Sequence, residues 1–216
     1  IQGVDKHILE VYEMIEEFNF IPRWRFDDVM VSFAAQGGSV GPHYDHYDVF
    51  LLQGLGSRHW QISSLDCNSN NYVKNSELRI MESFREEDAF ITEPGDILYV
   101  PPGIAHHGTS LDTECITLSF GYRSYSANEM MEALSLKPHK SNNDYYIDPN
   151  WSTELGNAEI SNSAVNQALE LLNVDQLPTE FFGCFVTKLD LFDQQKISEM
   201  MLFEEPIEIK ESVSYI

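Results

Sequence analysis

Hydrophobic and polar positions change their period twice along the chain. Within residues 5–18, Ile8, Leu9, Tyr12 and Ile15 recur at helical steps with Glu13, Glu16 and Glu17 opposite, which predicts an amphipathic helix laid against something larger. From Asp28 the period shortens. Val29, Val31 and Phe33, then residues 49–52, 60–62, 89–92, 97–100 and 116–120, are short β-prone runs divided by Gly, Pro, Asn and Asp clusters. Many short strands at this spacing predict a mostly β fold, an antiparallel sandwich or barrel. Gly54, Gly56 and Ser57 predict a tight hairpin between two of them, and the polar residues 66–75 read as a loop. After Arg123 helical spacing returns over residues 128–136 and again where Val165, Leu169 and Leu172 follow a cap at Ser161 or Ser163. Residues 137–156, rich in Asn, Asp and Pro, read as a linker or extended crossover. The predicted boundary between the β domain and a helical module lies near Ser126. Residues 178–187 look helical, and the apolar-acidic sequence after them predicts no particular element.

Composition narrows the class. At 216 residues, with 43% hydrophobic and 12% aromatic positions, the chain can bury a globular core for one full domain plus an appendage. No apolar run approaches the ~18 residues of a membrane helix. The net charge of −22 is spread over both halves, so binding nucleic acid through phosphate neutralisation is excluded as an expectation. A basic protein partner suits that charge, although acid excess also simply keeps a protein in solution. Cys67, Cys115 and Cys184 are odd in number and widely spaced, which suggests neither a disulfide framework nor a zinc ribbon and makes a reducing cytoplasm the expected compartment. The chain starts on Ile1 in helical-looking sequence, as a processed or truncated chain would.

The chemistry concentrates in two segments. In Gly41-Pro42-His43-Tyr44-Asp45-His46-Tyr47-Asp48, residues two apart on a strand share a face, so His43 and Asp45 can converge on one ion. A third ligand should come from a distant strand, and Gly95 to His107 offers His106 and His107, of which extended backbone lets only one join. Two imidazoles and one carboxylate on one face leave open positions opposite, as in non-haem Fe(II) oxygenases. Arg58, opening the strand after the hairpin, falls inside a barrel if it alternates with Trp60 and Ile62, where a guanidinium can grip a carboxylate through two parallel hydrogen bonds. Arg123 is its rival for that role. His46 should face away from His43, His59 abuts the hairpin, and His7 and His139 have no nearby partners.

Gly37 with His43, and Gly95 with Pro101-x-Gly103-x-x-His106, are spaced like the two cupin motifs. Asp45 replaces the second histidine of the first motif and its glutamate is missing, which points away from a manganese cupin and toward the His-x-Asp…His iron class. More narrowly, Trp24-Arg25-Phe26-Asp27-Asp28, residues 41–50 and residues 95–103 resemble the bacterial ribosomal-protein arginine hydroxylases, JmjC-type 2-oxoglutarate oxygenases of the cytoplasm. The likeness is strong over residues 20–123 and weaker through Tyr145-Tyr146-x-Asp148-Pro149 and Phe181-Phe182-Gly183.

That resemblance implies a double-stranded β-helix over residues 1–125, a helical dimerisation region over 126–176, and over 177–216 the start of a C-terminal module, a partial winged helix. Because the family is longer at both ends, the chain is expected to be a fragment or a shortened member. The cupin-like spacing selects His106, giving His43, Asp45 and His106 as ligands of Fe(II), and the resemblance places the 2-oxoglutarate-binding arginine at Arg58. The implied reaction hydroxylates an arginine side chain of a basic ribosomal protein, with succinate and CO2 as by-products, in a homodimer. Asp48, Tyr47 and Gln53 are candidates for the substrate walls by proximity. Alternatives are a JmjC oxygenase with another target, a histidyl hydroxylase or N-methyl-lysine demethylase, and a non-catalytic cupin-like dimerising scaffold.

Overall fold

The computed structural model describes residues 1–68, 70–74, 79–136, 144–148, 158–178 and 180–188. These divide into two compact units, one made of Ile1–Asn19 and Arg25–Ser124, the other of Phe20–Trp24 and the residues from Tyr125 onward.

Eight strands build the first unit: β1 Phe26–Ala34, β2 His43–Tyr44, β3 Tyr47–Leu55, β4 Arg58–Ser63, β5 Asp88–Thr92, β6 Ile97–Val100, β7 Ala105–Ser110 and β8 Cys115–Arg123. They pair antiparallel in two four-stranded sheets, ordered β1-β8-β3-β6 and β2-β7-β4-β5. Successive strands thus alternate between the two sheets except at β4–β5, which is the expected double-stranded β-helix, a jelly roll. Period-two alternation sorts the side chains of β3. Val49 and Leu51 meet Trp60 and Val100 between the sheets, while Phe50 turns outward to Phe18, whose ring lies 4.9 Å from it and 4.7 Å from Phe120. Gln53 shares the inner face of Val49 and Leu51 and is buried. The β3–β4 hairpin turns at Gly56, with φ 64; a Cβ there would strike the Glu114 carbonyl oxygen, so no other residue fits.

The single helix expected over residues 5–18 is broken into a 3₁₀ turn Val4–Lys6, helix α1 Leu9–Glu13 and a second 3₁₀ turn Met14–Phe18. Ile8 is extended, and no side chain caps α1. The buried residues are Val4, Val11, Ile15 and Phe18, whereas Ile8, Leu9 and Tyr12 are exposed. Asp5 reaches back to accept the Val29 N–H at 2.9 Å, and that contact with β1 outweighs the weak helix propensity of so short a segment.

In the second unit, α2 Ala127–Ala133, α3 Asn162–Leu172 and α4 Phe181–Val186 surround Trp24, Tyr146 and Phe182. Trp24 meets Tyr146 and Phe182 edge-on at 5.6 and 5.5 Å. Ser126 and Glu129 close a capping box on α2, and Ser161, rather than Ser163, caps α3 through the Ala164 N–H. Most of the predicted linker 137–156, and everything after Lys188, lie outside the described residues. Among the described residues no helix is long and apolar enough to cross a membrane.

Candidate metal centre

β2 and β7 are hydrogen-bonded neighbours, and their register sets His43 directly opposite His106. The two rings lie 4.3 Å apart between centroids. Asp45 sits just past the end of the two-residue β2, not on it, and its backbone is fixed because its carbonyl accepts the Gly103 N–H at 2.7 Å. Its carboxylate comes within 3.8 Å of His43 Nε2. Ligand atoms from His43, Asp45 and His106 all fall within 4.8 Å of one another, the one such group among the described residues.

Backbone carbonyls decide which ring nitrogens face the cluster. His43 Nδ1 lies 2.9 Å from the Gly41 carbonyl and His106 Nδ1 lies 3.3 Å from that of Ile104. A carbonyl only accepts, so each Nδ1 carries a proton, and in the neutral ring Nε2 is the nitrogen left with a lone pair. Metal-binding histidines are oriented in just this manner by their second nitrogen. Burial, reinforced by neighbouring His43 and opposed by Asp45, pushes the His106 imidazole down to about 4 from 6.5. The ring is therefore neutral and ready to ligate at physiological pH. A depressed imidazole also costs stability in acid. Between pH 6.5 and about 4 the unfolded chain binds a proton that the folded chain refuses. The urea midpoint of the metal-free protein should thus fall as pH drops through that window, and His106→Gln should flatten the fall.

His107 takes the other face of β7, paired with Gln61 on β4 and edge-on to Phe84 at 6.0 Å, and it does not join the cluster. His46 also stands outside it, its ring edge-on to Tyr44.

Inside the barrel the register of β4 against β7 places Ile62 opposite His106, Trp60 opposite Gly108 and Arg58 opposite Ser110. Alternate residues share a face, so Arg58, Trp60 and the His106 imidazole line one inner wall. Trp60 stands between the other two, 6.0 Å from the His106 ring and 5.5 Å from the Arg58 guanidinium carbon. Gly108 makes room for it, since a Cβ there would lie 2.5–2.7 Å from the indole. Gly108→Ala should displace that rigid ring and cost about 1–3 kcal/mol, read by urea denaturation.

Arg58 is only 4% exposed, and its Nε and Nη2 are buried with no partner. Among the described residues no carboxylate forms an ion pair with it. A buried, unpaired guanidinium costs several kcal/mol, a cost that a bound anion would offset. Arg123, its rival, is only partly buried and pairs in register with Tyr47 at the far end of β8. Of the proposed substrate walls, Asp48 turns away from the barrel interior into an ion pair with Arg25, and Gln53 is consumed by internal hydrogen bonds. Tyr47 stays at the interior. Burial and a hydrogen bond to Asp27 raise its phenol well above the usual range, so it is a neutral donor beside an exposed carboxylate. Asp27 escaped sequence reasoning because a register shift between Phe26 and Val29 breaks the alternation that would have placed it.

Comparison with known proteins agrees with this geometry. The JmjC domain model matches residues 13–130. A "Probable ribosomal oxygenase" of Haemophilus influenzae is 40% identical over 136 residues, which is 62% of this chain and 33% of that one. The "Ribosomal protein uL16 3-hydroxylase" of Escherichia coli is 31% identical over 194 residues, covering 87% of this chain and 52% of that one. Among solved structures, the E. coli ribosomal oxygenase YcfD in complex with cobalt and 2-oxoglutarate superposes with a TM-score of 0.56 at 30% identity, over 85% of this chain and 49% of that one. The chain spans between a third and about half of the length of these relatives. With more than half of its residues matched to the domain model, and the two sheets and the His–Asp–His cluster in place, this chain belongs to the JmjC domain family.

Proposed function

We propose that the chain carries the catalytic domain of an Fe(II)- and 2-oxoglutarate-dependent oxygenase that hydroxylates an arginine side chain of a basic large-subunit ribosomal protein. The observation that supports this most is the pairing, on one inner wall, of an open His43–Asp45–His106 face with the unpartnered buried guanidinium of Arg58. A metal ion needs the first, and a keto acid with a second carboxylate needs both. In this reading His43 Nε2, His106 Nε2 and the Asp45 carboxylate hold the iron, and Arg58 takes the far carboxylate through Nε and Nη2. When bound, Fe(II) supplies the redox chemistry by which O2 and 2-oxoglutarate yield succinate, CO2 and a hydroxylated C–H bond.

The protein's own part is positional. Trp60 keeps water from the wall between Arg58 and the imidazole, so the guanidinium acts in a low dielectric where it grips an anion more firmly. Tyr47 and Asp27 offer an aromatic face and a carboxylate to a cationic side chain. The net charge of −22 favours encounter with a basic ribosomal protein. The names of the E. coli and H. influenzae relatives support the ribosomal target and, with it, a cytoplasmic enzyme. A homodimer formed through the helices after Ser126, and a partial winged helix over 177–216, complete the reading carried over from the family resemblance.

The test supplies the full chain with Fe(II), ascorbate, 2-oxoglutarate and a peptide of ribosomal protein uL16. A gain of about 16 Da on one arginine, with stoichiometric succinate, is expected. A loss of about 14 Da from a methylated lysine peptide would instead mean demethylation, and neither succinate nor any mass change would overturn the assignment.

A further inference from the structure

β5 ends the sheet ordered β2-β7-β4-β5, and among the described residues no strand pairs with its free side. Open edges of this kind are normally guarded by Lys, Pro or a bulge. β5 has none of these: it reads Asp88-Ala89-Phe90-Ile91-Thr92 and keeps an unbroken register against β4. It also exposes apolar side chains on both faces. Phe90, opposite Trp60, is 44% exposed, and Ile91, opposite His59, is 60% exposed. Tyr99 of β6, the terminal strand of the other sheet, is by contrast stacked on Phe50 and bonded to Asp48. Charge decides what the β5 edge can accept. Glu86, Glu87 and Asp88 lead into its apolar pair, Glu93 and Asp96 follow it, and each is exposed. Glu86 and Glu87 accept from the neutral side chains of Gln61 and Ser64, and Asp88 and Asp96 accept from backbone N–H groups, so these bonds leave the negative charge in place. Arg85, next to them in the chain, pairs with Asp66 at 3.5 Å. A second copy would bring the same carboxylates to the same edge, where like charges repel; a basic strand meets the opposite condition.

We propose that β5 is a docking edge, to which an extended, Lys- and Arg-rich segment of the ribosomal protein substrate adds as a further strand. This rests on the reading of the chain as a ribosomal-protein hydroxylase. The free backbone N–H and C=O groups of β5 hold the segment, and its alternate side chains meet Phe90 on one face and Ile91 on the other. The surrounding carboxylates draw in its cations and weaken the contact as salt rises. β7, which carries His106, lies three strand spacings from the added strand, about 14 Å. Roughly four extended residues cross that distance, so the docked segment stands close in sequence to the arginine presented at the metal. The edge thereby selects a basic protein whose target arginine lies beside a strand-forming stretch.

The experiment compares wild type, Ile91→Lys and Leu9→Lys, each as the full chain, on intact uL16 and on a uL16 peptide of about five residues around the arginine, too short to reach β5. Leu9 on α1 is 65% exposed and carries the same charge change away from the edge. Ile91→Lys should weaken the binding of intact uL16 to the Co(II)-loaded chain roughly tenfold by calorimetry and raise KM for it in the same measure, with kcat and the rate on the short peptide unchanged. Leu9→Lys should match wild type within about twofold. Hydrogen exchange at the β5 amides should slow when intact uL16 binds wild type. Equal affinities for wild type and Ile91→Lys, an equal loss in Leu9→Lys, or no slowing of exchange at β5 overturns the inference. If Ile91→Lys weakens binding as expected but wild type hydroxylates neither substrate, the assignment of the reaction falls and the docking edge stands.

Discussion

Asp45→Ala should lower turnover by more than about 100-fold and empty the site of iron. Residues that merely orient a metal ligand cost ten- to a hundredfold when removed, so a direct ligand must cost at least the upper figure. Asp45 contributes the only carboxylate, and so the only formal negative charge, in the cluster, the other two donors being the rings of His43 and His106. Without it, a divalent cation would sit on two imidazole donors, on the same inner wall as a buried, uncompensated Arg58. Fold loss should not confound the result. The Asp45 side chain is 45% exposed, and the hydrogen bond that anchors the residue uses its backbone carbonyl, which alanine keeps. The comparison variant is His107→Ala, on the face of β7 opposite to His106 and expected to stay within about twofold of wild type. Metal content by mass spectrometry and single-turnover succinate release read the two variants side by side. Equal turnover in Asp45→Ala and wild type would dismiss the metal assignment.

What the sequence revealed depended on whether a residue's role follows from local period. The strands around Val49, Trp60, Ile97 and Ile116 were legible because their alternation and flanking turns are local properties. So was Arg58, whose inward direction follows from its spacing to Trp60 and Ile62. The pairing of His43 with a distant histidine was legible as a demand for a third ligand. The backbone alone left His106 and His107 both open, and the family spacing chose between them. Roles that depend on register across strands were invisible. Cys115 looked like a lone cysteine, because Gln53, whose amide donates to its sulfur, comes from another strand. Asp48 looked like a substrate wall because it lies three residues from Asp45, yet the pleat of β3 turns it to the opposite face. The N-terminal segment misled for the opposite reason. Its helical period is real, but Asp5 and Gly3 bond to β1 and shorten the helix, and which apolar residues are buried then follows the sheet rather than the stripe.

That misplaced aspartate carries the second large prediction. Arg25, 1% exposed, donates from Nε to the Arg123 carbonyl at 2.9 Å and from Nη2 to Asp48 Oδ2 at 2.6 Å and Ser124 Oγ at 3.0 Å. Tyr99 completes the set, its hydroxyl donating to Asp48 Oδ1 at 2.6 Å. Burial and that bond raise the Tyr99 phenol well above its usual range, so it stays a donor at any working pH. The guanidinium thus ties the start of β1 to β3 and the end of β8, where no apolar contact could fix register as narrowly. Asp48→Ala leaves a buried cation unpaired and should cost about 3–5 kcal/mol, a large share of a typical domain's stability. The melting temperature should fall by roughly 6–20 °C. A desolvated pair can nevertheless be dispensable when both members go. Arg25→Met combined with Asp48→Leu should recover most of the loss, because neither charge then lies stranded and the freed volume is filled. If the double variant is as unstable as Asp48→Ala alone, the network's worth lies in the polar geometry it imposes on three strands, and removing the buried charge is not enough to replace it.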